Sequence, residues 1–487
     1  MKPYYCPYII LLLALITVTG FGAPVNPGEA LAIADVWYAM ELNSGNLKIT
    51  EKEKAERIAR IGNHRVSYMV SRDELTEEYP AGRTVLAYIV EYVPNGFAVV
   101  SGDDRIAPLM VCSAESEFRW DQPERNFLRF YLGRVMPALW DRLPAQTHGN
   151  WTLLRAKLPE SKDKVAFDKG ERAVNIQWGT ANWNQGNYYN DTCAAHNGNN
   201  DVLTGCVATA LAIKMHCHGW PLVGNSSHNY SDTLGSIQYS HSVNHGVQSY
   251  DWAAMPYANL TAPNSEVARV MYHGGVSVNM DYEMDFSGAS TYDVAAAMNS
   301  HFRYRGTLGV YDTTGPDAHE AAMIKSIIGI LPVQIGGWGH SVLCDGYRDD
   351  AEPNWHVNCG WGGANNGWYY LTNLPGGSTT VIRVSCPYAQ PNNWTYIDSS
   401  WAGAEDGRIA YPYNTLTEGE AASINGGKLL VKGGTYTGAG NVPVTINNGV
   451  VIRAFGGNVT MGDNLWLMNY ESILLHETGG IRITSAK

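Results

Sequence analysis

The chain has 487 residues, 45% of them hydrophobic and only 16% charged, which is material for roughly two to four globular domains. Its net charge of −12 excludes nucleic acid and anionic membrane as main partners, because both repel an acidic surface. Fifteen Trp and 29 Tyr beside nine Phe, with 51 Gly, favour strands and loops carrying polar-tipped aromatics over a helical bundle.

The first 23 residues read as a secretory signal peptide. Lys2 supplies the positive charge, residues 9–18 the short apolar core, and Thr19 to Ala23 the small residues of a cut near Gly22 or Ala23. The apolar run is short for a bilayer span; an uncleaved anchor is the rival reading. No later stretch is long and apolar enough to cross a membrane, so a soluble, exported product, extracellular or periplasmic, is expected.

Residues 24–168 form a first α+β unit. Helices are expected over 33–42, 51–60 and 125–143, with strands over 84–93 and 96–101 around the turn at Pro94, Asn95 and Gly96. The polar, charged segment 159–171 reads as an exposed linker open to proteolysis. From 169 to 390 the composition shifts to Gly, Asn, Trp and Tyr. A helix over 206–217 carries apolar residues on every face and is therefore expected to be buried nearly all round. Thr204 is its expected cap, and Gly219 with Pro221 its stop. Strands over 331–335, 341–345, 355–361 and 368–371 follow, an α+β domain with an antiparallel sheet. Beyond 391, short strands near 428–432, 444–446, 450–453 and 458–460 are separated by glycines. They suit a small all-β module, either stacked β-helix turns or a sandwich.

Cysteine usage narrows the chemistry. Seven of the eight cysteines lie beyond the leader, an odd number with no CxxC pair; this is neither a disulfide framework nor a zinc ribbon, and it favours a free thiol. Cys206 would open the buried helix, where the helix dipole and unpaired N–H groups favour a thiolate. The bland alternative is a small core cysteine. His340, after Gly336, Gly337, Trp338 and Gly339, is the candidate base. If the hairpin turns about residue 349, His340 lies directly opposite Asn358, with Cβ atoms about 5 Å apart. The amide would then orient the imidazole and leave its other nitrogen for the thiol, with Trp361 shielding the bond. The run His216, Cys217, His218 invites a metal reading, but adjacent helical positions point in different directions. No metal or organic cofactor is expected.

These segments carry a resemblance. Gly205-Cys206-Val207-Ala208-Thr209-Ala210, Gly339-His340 with Asp345-Gly346-Tyr347, and His356-Val357-Asn358 with Gly360-Trp361-Gly362-Gly363 resemble the nucleophile, histidine and asparagine segments of the streptopain family of cysteine proteases. Trp183-Asn184-Gln185-Gly186 resembles its oxyanion-glutamine segment, and residues 95–105 its inhibitory propeptide. Cys359 stands where that family commonly has a Trp.

The resemblance implies a papain-like two-part domain, helical part plus antiparallel sheet. Cys206 would be the nucleophile, His340 the base, Asn358 its orienter, Gln185 an oxyanion donor and Trp361 a shield. It also implies a secreted endopeptidase zymogen acting on proteins or peptides, with its own propeptide as inhibitor; the β-rich module at 391–487, which the resemblance does not reach, is expected to tether the enzyme or bind a surface partner. An acyltransferase or transglutaminase, or an inactive binding protein on a protease scaffold, are the alternatives.

Overall fold

The computed structural model describes residues 23–155, 175–193, 202–371 and 382–483, with short gaps inside these spans. Residues 1–22 of the expected leader and the linker at 159–171 lie outside the described residues.

One antiparallel sheet of twelve strands runs through most of the molecule. From one edge its strands are Val310–Thr313, Ile382–Ser385, Val333–Gly337, His340–Arg348, Trp355–Asn358 and Gly367–Tyr369. It then continues, without a break, into Leu109–Ser113, Phe97–Ser101, Ala87–Tyr92, His64–Ser71 and Glu74–Thr76 of the N-terminal stretch. The join is the pairing of Trp368 with Cys112 and of Tyr369 with Val111. Asn175–Gln177 pairs separately with the far end of His340–Arg348. Joining two sheet edges removes two rows of unpaired backbone groups from solvent.

The N-terminal stretch covers its part of the sheet with the helix Pro27–Asn43, capped by the Asn26 side chain on Glu29 N–H at 2.9 Å. Tyr38 of this helix stacks on Tyr92 of the sheet, ring centroids 3.9 Å apart. Residues 127–140, expected as one helix, form two short α segments around a π turn at Tyr131–Val135.

The helical part of the central region is built on Cys206–His218. Its residues are buried on every face, Lys214 and His216 included, as the apolar pattern predicts. Leu211, Ile213 and Met215 are fully buried, each worth about 1.5–3 kcal/mol of apolar transfer. Lys214 extends its Nζ to the Cys386 carbonyl at 3.4 Å, and burial pulls its amine down to about 8.

Thr204 does not cap this helix. Gly205 takes the cap position at φ +86°, with no side-chain cap bond, and the Thr204 hydroxyl pairs with that of Thr209 at 2.9 Å. A Cβ on Gly205 would stand 2.4 Å from Met280 Sδ, so both φ and space demand glycine. At the other end Gly219 adopts the left-handed conformation, φ +61°, and stops the helix as expected.

The C-terminal stretch stacks Trp394–Ile397, Lys428–Tyr436 and Val451–Met461 in parallel, the stacked-turn arrangement rather than an antiparallel sandwich. A short helix, Leu416–Ala422, accompanies the strands. The stack is docked on the central region. Trp394, Tyr396, Leu430 and Phe455 share a core with Ile327, Ile330 and Leu331, and Trp394 abuts His218 with ring centroids 5.1 Å apart. Among the described residues no helix is long and apolar enough to cross a membrane.

Candidate active site

Cys206 opens its helix at the point where the helical and sheet parts meet. Leu343, in the strand that His340 begins, packs in the same apolar cluster as Cys206. A buried Gln334 fixes the junction: its Nε2 donates to Val207 O at 3.2 Å and to Ser341 Oγ at 2.9 Å. One amide thus ties the residue after Cys206 to the residue after His340. Both residues are buried, Cys206 at 5% exposure and His340 at 4%.

His340 starts its strand from a tight turn, paired with Gly337; Gly339 in that turn has φ +86°, which favours glycine. The His340 Nε2 lies 3.4 Å from the Cys359 carbonyl oxygen. A carbonyl only accepts, so this contact places the proton on Nε2 and leaves Nδ1 as the bare, basic nitrogen. Trp361 lies nearly parallel to the imidazole, centroids 5.9 Å apart at 15°. Burial pushes the imidazole down to about 4, opposed by the Cys359 carbonyl.

The hairpin register differs from the expected one. Asn358 pairs with Leu343, not His340, because the strands pair about residue 351 rather than 349, with Tyr347 opposite Trp355; a bulge between Cys344 and Gly346 offsets this by only one residue. No amide–imidazole bond forms at this position. Asn358 Nδ2 instead donates to Thr180 Oγ1 and to Ala181 O, both at 3.0 Å, and its Oδ1 accepts from Gly360 N at 3.0 Å. The group nearest His340 Nε2 is the backbone of Cys359, the residue that departs from the family pattern. Its side chain faces away, Sγ meeting Asn365 O at 3.3 Å and Tyr369 Oη at 3.6 Å.

Gln185 is 3% exposed, and its Nε2 has no hydrogen-bond partner. Its backbone carbonyl accepts from Thr204 N at 3.0 Å, which holds the residue beside the segment leading into Cys206. A buried amide donor without a partner is costly, and an oxyanion is a group that would satisfy it.

Sequence reasoning missed Gln334, Thr180 and the side-chain pair Asp345–His356. Asp345 and His356 belong to adjacent strands of the expected hairpin, so a correct register would have drawn attention to them; Thr180 and Gln334 leave no local signal. Among the described residues no cluster suited to a metal ion is present, and His216 and His218 are each bound to protein groups instead: His216 to Met255 O, His218 to Tyr304 Oη and Ile330 O.

Residues 183–369 match the model of the Peptidase C10 family, a span that contains Gln185, Cys206, His340, Asn358 and Trp361. The chain is 28% identical over 298 residues to the thiol protease/hemagglutinin PrtT of Porphyromonas gingivalis, covering 58% of this chain and 33% of that protein. It is 25% identical over 313 residues to streptopain of Streptococcus pyogenes, covering 59% and 74%. The chain therefore spans a third of PrtT's length and about three quarters of streptopain's. A prointerpain A fragment of Prevotella intermedia aligns at 22% identity and a TM-score of 0.47, over 66% of this chain and 98% of that one. Residues 183–369 thus carry the peptidase C10 match, and over a longer stretch the chain is similar in sequence to streptopain-type thiol proteases.

Proposed function

We propose that this chain is a cysteine endopeptidase made as a secreted zymogen, with Cys206 as nucleophile and His340 as base. The observation that carries the reading is a buried cysteine that opens a helix, its neighbour Val207 tied through Gln334 to Ser341, next to a buried histidine whose Nε2 meets a carbonyl. In this scheme His340 Nδ1 takes the thiol proton, and Cys206 Sγ attacks the peptide carbonyl to form an acyl-enzyme. His340 then protonates the leaving amine, and water, deprotonated by the same nitrogen, releases the acid. Gln185 Nε2 and the backbone N–H of Cys206 hold the oxyanion. Asn358 supports the loop behind His340, and Trp361 shields its outer face.

The substrates are proteins or peptides, and the first inhibitor is the chain's own residues 24–168. Two contacts support that second role. Asn365, in the turn after Trp361, exchanges hydrogen bonds with Glu117 and Arg119 of the N-terminal unit at 2.7–3.1 Å. Arg348, in the His340 strand, forms a buried ion pair with Glu41 of the N-terminal helix at 3.3 Å. The leader at 1–23 would direct export, the 159–171 linker would be cut on maturation, and residues 391–487 would bind a surface partner.

The test is processing. Wild type should convert from 53.4 kDa to a shorter active form. Cys206→Ala should stay full-length when purified alone, yet be trimmed by added active enzyme. N-terminal sequencing that finds residues near 24 still attached to fully active wild type overturns the zymogen reading.

A further inference from the structure

Behind the loop that carries the Cys359 carbonyl runs a chain of hydrogen-bonded polar side chains. Asp345, 1% exposed, accepts on both carboxylate oxygens: Oδ1 from His356 Nδ1 at 2.5 Å and Oδ2 from the Thr180 hydroxyl. With its single proton given to a carboxylate, Thr180 Oγ1 has only lone pairs left for a neighbour. That neighbour is Asn358 Nδ2, at 3.0 Å. Asn358 Nδ2 is thereby set on the Thr180 side, and Oδ1 is left to accept from Gly360 N. The Asn358–Gly360 bond closes a turn around Cys359, and the carbonyl of that residue meets His340 Nε2. At the other end of the chain Gln177 Nε2 lies 3.1 Å from His356 Nε2. This suits an imidazole with its proton on Nδ1.

We infer that Thr180, Asp345 and His356 are positioning residues for the base: they set the polarity of Asn358, and through it the direction of the Cys359 carbonyl that holds His340. The inference rests on His340 being the base. It replaces the direct Asn358–His340 bond, which the register rules out, by an indirect one. A second feature separates this relay from ordinary core packing. Thr180, Asp345, His356 and Gln177 all line a cavity of about 890 Å³, shared with Glu117 and Arg119 of the N-terminal unit. The relay therefore borders open space on one side and the loop carrying Cys359 on the other.

The experiment is steady-state kinetics on the processed full chain, with the thermal midpoint recorded for every variant. Thr180→Val keeps the shape and removes the proton donor. It should lower kcat about tenfold with KM within about twofold, because an imidazole's orientation matters as charge develops in the transition state. Thr180→Ser restores the hydroxyl and should restore kcat to within about twofold. Asn358→Asp keeps the acceptor for Gly360 N but presents a carboxylate to Thr180 Oγ1; it should lower kcat about as much as Thr180→Val, about tenfold. This second variant also serves if Thr180→Val does not fold. Wild-type kcat in Asn358→Asp, or a Ser variant no better than Val, overturns the relay while leaving the base assignment standing. Retained activity in His340→Ala overturns the base assignment itself, and the relay with it.

Discussion

Two groups of buried histidines in this molecule make an instructive pair. His340 and His245 are both enclosed, and burial pushes both imidazoles down, to about 4 and about 3. Around His340 one ring nitrogen has a polar partner, the Cys359 carbonyl on Nε2, and hydrogen-bonded side chains lie behind that loop. His245 has neither ring nitrogen bonded. It lies among other rings, stacked on His301 at 4.7 Å and edge-on to His273 at 5.7 Å, with His228 next to His301 at 5.3 Å. His273 and His301 are themselves lowered by burial. A depressed imidazole is therefore no mark of a functional site here. What sets His340 apart is a ring nitrogen held by a carbonyl, which His245 lacks.

The comparison can be broken most directly by deletion. Cys206→Ala should abolish peptidase activity on denatured protein and leave the fold intact, and His340→Ala should lower kcat/KM by at least about a thousandfold. His245→Phe should leave kcat/KM within about twofold of wild type. Comparable losses in His340→Ala and His245→Phe, measured at equal folded fraction, would erase the distinction.

A smaller effect separates side chain from backbone within the site. Asn358→Ala removes the turn-closing acceptor and should lower kcat more than it alters KM, by about tenfold to a hundredfold. Cys359→Ala keeps the carbonyl and should stay within about tenfold of wild type. A pure KM effect at Asn358 would make it a substrate-binding residue.

The smallest expected effect is on stability. A histidine lowered in the folded state takes up its proton on unfolding, so stability is lost as pH falls below the unfolded value of about 6.5. For His245 the loss extends down to about 3. The thermal midpoint should therefore drop between about pH 7 and about pH 5, and His245→Phe should narrow that drop. An unchanged drop would place the acid sensitivity elsewhere, for example at His273 or His340.

Much of this architecture could be read from the chain itself, and the exceptions have physical causes. The Cys206–His218 helix was readable because its apolar residues occur on all sides, and the paired strands because they alternate or run apolar between turn residues. The cap was misassigned because Thr is the better capping residue in general, whereas here a left-handed glycine pressed against Met280 is required. The position of Asn358 opposite Leu343 is not legible because spacing alone does not fix where a hairpin turns: the strands pair about residue 351, with Tyr347 opposite Trp355, two residues beyond the expected centre. The continuous sheet went unseen for a different reason: Cys112 and Trp368 pair across more than half of the chain, and no local pattern encodes a pairing at that range.

The central claim is that Cys206 is the one thiol activated for attack. Burial pushes the other six described thiols up, to about 11 at Cys386 and about 12 at Cys193 and Cys359, which keeps them protonated near neutrality. A thiol-directed epoxide inhibitor applied to the processed protein, with the labelled peptide identified by mass, tests this claim most directly. The account predicts labelling at Cys206 in step with loss of activity, and no such labelling in His340→Ala. Complete inactivation with the label on another cysteine, or full activity with Cys206 labelled, would contradict it.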